Sequence, residues 1–147
     1  MALSPQKFRE IVFQLIYSDD FGSDDDVQEI VMSQLAVTKK TVREADQIKE
    51  RFLEKKQEID DLLRKHSQSY DLERIPRVER NIVRLGVFEL LFMKDVPGKV
   101  VISESMRLAR KFSTKESSTF VNALMDSVYQ SVLQEGVLHA TLEPSTV

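Results

Sequence analysis

Between Val78 and Met93 the chain is apolar on nearly every side of a helical wheel. Val78, Ile82, Leu85, Phe92 and Met93 form one stripe, and Val83, Val87, Leu90 and Leu91 cover the opposite side. A helix without a polar face does not lie on a surface; other helices must wrap it. Arg84 and Glu89 interrupt the pattern, and Glu89 falls inside the first stripe. A carboxylate in that place stays ionised only when it is paired or hydrogen-bonded. Asp95-Val96-Pro97-Gly98 then stops the helix, because proline cannot continue it and glycine turns the chain.

The flanking segments supply the wrapping. Ser4-Pro5 offers a hydroxyl N-cap with proline in the first turn, and Phe8, Ile11, Val12, Leu15 and Ile16 then share a face. Ser23-Asp24-Asp25-Asp26 predicts the start of a short second helix that buries Val27, Ile30, Val31 and Leu35. A long third helix is expected from about Thr38 to Thr41 onward, with Val42, Ala45, Ile48, Phe52, Ile59 and Leu62 or Leu63 inward. The charge run from Lys49 to Lys56 reads as its solvated face. His66 to Asp71 predicts a hinge, and Leu72 to Ile75 a short turn.

After the central rod, Lys99 to Phe112 is cleanly amphipathic, with Val101, Ile102, Ser105, Leu108, Ala109 and Phe112 on one side. Ser113-Thr114-Lys115-Glu116 matches a capping box, which opens a last helix facing inward through Phe120, Val121, Leu124, Met125, Val128 and Val132. Beyond Gly136 the pattern weakens, and fraying or disorder is expected. The 147 residues contain only four glycines and four prolines, which suits long helices. The expectation is an all-α protein of about six to seven helices. Two packed subdomains, 1–68 and 72–137, share one domain over 1–137, and 138–147 form a flexible tail.

No constellation for bond chemistry is visible. His66 and His139 lack metal-ligand partners at a useful spacing. There is no cysteine and no glycine-rich phosphate loop, so the sequence points to no enzyme, no metal and no cofactor. Glu89 and Glu104 read as two structural carboxylates rather than an acid–base pair. No apolar run is long enough to cross a bilayer, and Met1 to Glu10 lacks the plan of a signal peptide, which favours a cytosolic protein. The formal charge of −3 argues against a general nucleic-acid binder, but the charges are segregated. Lys94, Lys99, Arg107, Arg110, Lys111 and Lys115 cluster around two turns, and Arg107, Arg110 and Lys111 share a helix face. Such a patch is as consistent with a solvated surface as with an RNA site. Phe120 reads as core, with an exposed stacking platform as the alternative.

The same region resembles the NusB family of bacterial transcription antitermination factors. Arg84-Leu85, Glu89-Leu90, Val96-Pro97, Ile102, Glu104, Phe120-Val121-Asn122, Leu124 and Asp126 match its pattern in order and spacing. Arg9-Glu10, Gln14 and Tyr17-Ser18 resemble its first helix. The resemblance implies a two-part helical fold and a non-enzymatic role in the cytoplasm. The implied role is pairing with ribosomal protein S10 (NusE) on the boxA element of nascent ribosomal RNA, within the RNA polymerase antitermination complex. It implies RNA contacts at or beside Lys7, Arg9, Arg110, Lys111, Lys115, Ser118 and Phe120. It implies contacts with NusE at Tyr17, Glu73, Glu79 and Arg80.

Departures from the family pattern set further expectations. Leu3 to Lys7 holds a single cation where members usually carry an arginine-rich segment. Ser103 and Ser105 stand for Asn and Ala, and Ala123 for Gly. Weak RNA affinity for the isolated protein follows, with NusE completing the site. The alternative is a NusB-like helical interaction module with no RNA binding of its own. A NusB-like domain serving a methyltransferase is disfavoured by the lack of a glycine-rich cofactor loop. Whether the chain forms a homodimer stays open.

Overall fold

The computed structural model describes residues 3–20, 22, 37–67 and 71–142, with side chains as far as 135. Among the described residues the fold is all-helical. Its elements are α1 (Pro5–Asp20), α2 (Lys39–His66), a 3-10 turn (Leu72–Arg74), α3 (Arg77–Phe92), α4 (Gly98–Phe112) and α5 (Lys115–Leu142). The expected short helix with Val27, Ile30, Val31 and Leu35 lies outside the described residues, as does the tail from 143.

The all-round apolar stretch is the axis of the molecule. Every residue from Asn81 to Leu90 in α3 is buried, and α3 packs against α1, α2, α4 and α5. One hydrophobic core runs through all five helices. Phe52 of α2 meets Phe88 of α3 edge-on, with ring centroids 5.9 Å apart and planes at 76°. At Gly86 the helices approach so closely that a methyl group would sit 2.6 Å from Met125 Cε and 2.8 Å from Ser105 Oγ. The Ser105 hydroxyl turns inward to donate to the Val101 carbonyl at 2.9 Å.

Local chemistry sets the helix ends. Ser4 Oγ accepts the Lys7 N–H at 3.2 Å and starts α1. Thr38 Oγ1 does the same for α2, accepting the Thr41 N–H at 3.2 Å. Past α1, Gly22 adopts φ 71, a left-handed conformation that favours glycine. The capping box read at Ser113 shifts by one residue. Ser113 closes α4, donating its N–H to Ala109 O, and Thr114 Oγ1 accepts the Ser117 N–H that opens α5. Both hydroxyls satisfy the spacing rule, so the rule alone does not pick between them. His66, placed in the hinge by sequence, is the last residue of α2, and its Nδ1 lies 3.0 Å from Ser127 Oγ of α5. The α5 backbone stays helical past Gly136 to Leu142.

Helices α1 and α4 lie side by side in the same direction. Gln6 reaches Glu104, Glu10 meets Lys111, and the Phe13 and Phe112 rings stand 5.1 Å apart. The end of α1, the start of α3, the end of α4 and the start of α5 therefore gather at one end of the bundle.

Candidate nucleic-acid and partner interface

A chain of alternating charges runs along the α1–α4 seam. Glu89, in the axial helix, accepts the Arg9 Nε–H at 2.9 and 3.1 Å. Arg9 Nη1 donates to Glu104 at 2.9 Å. Glu104 also holds Arg107 at 3.1 Å, Arg107 lies 3.7 Å from Glu10, and Glu10 is paired with Lys111. Burial pushes the Glu89 carboxyl above its ordinary range, and Arg9 offsets this only in part. Burial also acts against Glu104, but Arg107 and Arg9 outweigh it and hold that carboxyl low. Arg9 is drawn down by burial and then raised above its usual value by its two carboxylates. Both carboxylates are held in ion pairs, as the apolar surroundings of Glu89 require.

At the far end of this seam the cations emerge. Arg110, Lys111 and Lys115 are exposed at the junction of α4 and α5. Lys111 is tied to Glu10, whereas Arg110 and Lys115 make no ion pair with the described residues. Lys7, half-buried on α1, has none either. Thr114 and Ser117 hydroxyls lie in the same turn, 3.0 Å from each other. An exposed cationic corner with hydroxyls suits phosphate contacts.

The other implied residues have prior engagements. The Arg9 side chain is 12% exposed and committed to Glu89 and Glu104. Ser118 is buried and donates to the Lys115 carbonyl at 2.7 Å. Phe120 is half-buried and packs against the core. Arg107, read from spacing as part of the cationic face, is drawn inward to Glu104 and the Gln6 carbonyl.

Tyr17, Glu73, Glu79 and Arg80 lie where α1 ends and α3 begins. Tyr17 stacks obliquely on Phe13, with centroids 5.9 Å apart. Glu73 is exposed and pairs with Arg64 at 2.8 Å. Glu79 is buried and accepts the Ser117 hydroxyl at 3.2 Å. This bond joins the tyrosine end to the cationic corner, so the two surfaces adjoin. Arg80 belongs to a cluster around Asp20, where Arg77, Arg84, Arg80 and Lys56 lie 3.2, 3.6, 3.7 and 3.9 Å from its carboxylate. Burial would raise the Asp20 carboxyl, but the Asn81 amide and these cations hold it low. Arg84 also grips Asp60 at 2.8 and 3.1 Å.

Sequence reasoning missed Glu10, Asp20 and Asp60 as organisers. The available signal was the set Arg77, Arg80 and Arg84 on one stripe of an otherwise apolar helix, which demands acids from elsewhere.

With this geometry in hand, comparison with known proteins is informative. The profile of the NusB family matches residues 6–130. The chain is 34% identical to the transcription antitermination protein NusB of Myxococcus xanthus, over 82% of this chain and 90% of that protein. It is 30% identical to that of Chloroherpeton thalassium, over 95% of this chain and 67% of that protein. Among solved structures, T. maritima NusB superposes with a TM-score of 0.76 at 30% identity, covering 88% of this chain and 93% of that one. A structure of antitermination factors NusB and NusE in complex with dsRNA gives 0.73 at 26% identity, covering 86% and 96%. Profile, relatives and fold agree, and the chain belongs to the NusB family.

Proposed function

We propose that the chain is an RNA-binding transcription antitermination factor. It pairs with ribosomal protein S10 (NusE) on boxA of nascent ribosomal RNA and helps RNA polymerase read through terminators. It acts in the cytoplasm and without catalysis; no helix among the described residues is long and apolar enough to cross a membrane. Residues 1–137 serve as one domain of two helical subdomains.

The observation that carries this proposal is the cationic corner. Arg110 and Lys115 stand exposed and unpaired among the described residues, beside Lys111, and the Ser117–Glu79 bond sets this corner against the tyrosine end. Lys7, Arg110, Lys111 and Lys115 contact phosphates, and half-buried Phe120 lies further along α5. Arg9 and Ser118 hold the helices that carry these groups. Tyr17, Glu73, Glu79 and Arg80 form the NusE side. The solved assembly of a NusB with NusE and dsRNA supports a role with both partners.

The test is the double variant Arg110→Glu/Lys115→Glu, whose side chains take no part in the ion-pair chain. BoxA RNA binding falls by at least about tenfold, the scale of losing two phosphate contacts, while the helical circular-dichroism signal and NusE capture stay unchanged. RNA affinity unaltered by the double variant overturns the cationic corner as the RNA site, and absence of RNA binding by the unsubstituted chain with NusE overturns the proposal in favour of a helical interaction module that binds no RNA.

A further inference from the structure

Where the start of α1 meets α2 and the end of α3 lies a cavity of about 260 Å³. Phe8, Ile48, Met93 and Val96 form its walls, and Arg9 and Glu89 are its polar groups. We infer that this cavity is a pocket for one unstacked RNA base, a second contact point distinct from the cationic corner. The inference rests on the proposed function and specifies where the RNA runs.

Three observations support it. First, the polar groups of the pocket are not saturated. Arg9 uses Nε and Nη1 on Glu89 and Glu104, and its Nη2 has no acceptor among the described residues. The Glu89 oxygens keep lone pairs beyond those Arg9 fills. A donor and an acceptor side by side on an apolar wall match the mixed edge of a base, which single-strand readers bind by hydrogen bonds and ring stacking. The Phe8 ring is the stacking partner. Second, the volume lies just below the usual range for ligand pockets and suits one ring system rather than a whole nucleotide chain. Third, cations lie along the route. Lys94 is exposed between Met93 and Val96 in the chain, and Lys99 is exposed in the first turn of α4. The fifteen residues of α4 span about 22 Å, and Arg110 and Lys111 stand at the other end. A strand that follows this helix meets positive charge at both ends, with the pocket at one of them.

The test uses the full chain with carbon-13-labelled methionine methyls and unlabelled NusE. Met93 is the methionine of the pocket wall, and Met125 is a buried internal reference. BoxA RNA and a ribose-phosphate chain of the same length without bases are titrated in turn, with binding followed by RNA anisotropy. At saturation the RNA is expected to move the Met93 methyl upfield by ring current, and the baseless chain to leave it in place. Ile48→Phe, which fills the cavity from a half-buried position, is expected to weaken RNA binding about tenfold, the size of one base-stacking contact, with NusE binding unchanged. A Met93 signal that stays still while RNA binding saturates overturns the inference and leaves the cationic corner intact. A shift produced by NusE alone also overturns it, because it assigns the pocket to a protein side chain. Absence of any RNA binding overturns the proposed function together with the pocket.

Discussion

Arg9 and Glu89 stand 80 positions apart in the chain, and the Arg9 Nε–H bridges both Glu89 oxygens at 2.9 and 3.1 Å. This pair fixes α1 against the axial helix, and through Glu104 it fixes α4 as well. Removing one charge strands the other in a poorly solvated place. Glu89→Leu is expected to lower unfolding free energy by about 2–3 kcal/mol, below the full buried-pair loss because Glu104 still holds Arg9. Arg9→Met added to Glu89→Leu recovers most of that loss. Urea midpoints of the three proteins check both statements.

Acid sensitivity follows from the same carboxylates. Asp20 and Glu104 have folded values below their unfolded ones. Their stabilisation is present above the unfolded values, about 4, and is lost as pH falls through the folded ones. Glu89 has the opposite sign. The folded protein takes up its proton at a higher pH than the unfolded chain, so this residue favours folding as pH drops through that window. Thermal unfolding between pH 7 and pH 3 is expected to show a steep acid limb below about pH 4. Glu104→Gln flattens that limb, whereas Glu89→Gln removes the opposing contribution above it.

At Gly86, α3 comes close to both α4 and α5. Alanine gains helix propensity of about 1 kcal/mol over glycine. Its methyl would press on Met125 and on Ser105, both buried. Overpacking costs about 1–3 kcal/mol. The net expectation for Gly86→Ala is a loss of about 1 kcal/mol, read from denaturant midpoints. A stabilised variant would show that the three helices have room to part.

Salt dependence reports phosphate contacts directly. Each cation removed from single-stranded RNA lowers the slope of log K against log salt by about 0.7. Arg110→Glu/Lys115→Glu is therefore expected to reduce the slope by about 1.4. The Arg74→Glu control lies on the exposed 3-10 turn and is expected to leave it unchanged.

The axial helix was legible because an all-round apolar pattern admits one environment, and residues from Asn81 to Leu90 are all buried. The need for a partner at Glu89 was legible too, whereas that at Arg84 was not drawn. The identity of the Glu89 partner was not legible, since Arg9 comes from a distant segment, as does the Asp60 that meets Arg84, and no local spacing encodes such meetings. The Ser113–Thr114 ambiguity arose because adjacent hydroxyls satisfy the same capping pattern. Arg107 looked equivalent to Arg110 and Lys111 on a wheel. Glu104, one turn back on the same helix, and the Gln6 carbonyl, which only packing brings near, draw it inward.

The central claim is that an RNA corner and a NusE surface adjoin and work together. The most direct measurement is the dissociation constant for boxA RNA at physiological salt, with and without saturating NusE. The account predicts weak binding by the chain alone and binding at least about tenfold tighter with NusE, the scale of a typical coupling between sites. Tight binding that does not change when NusE is added would contradict it.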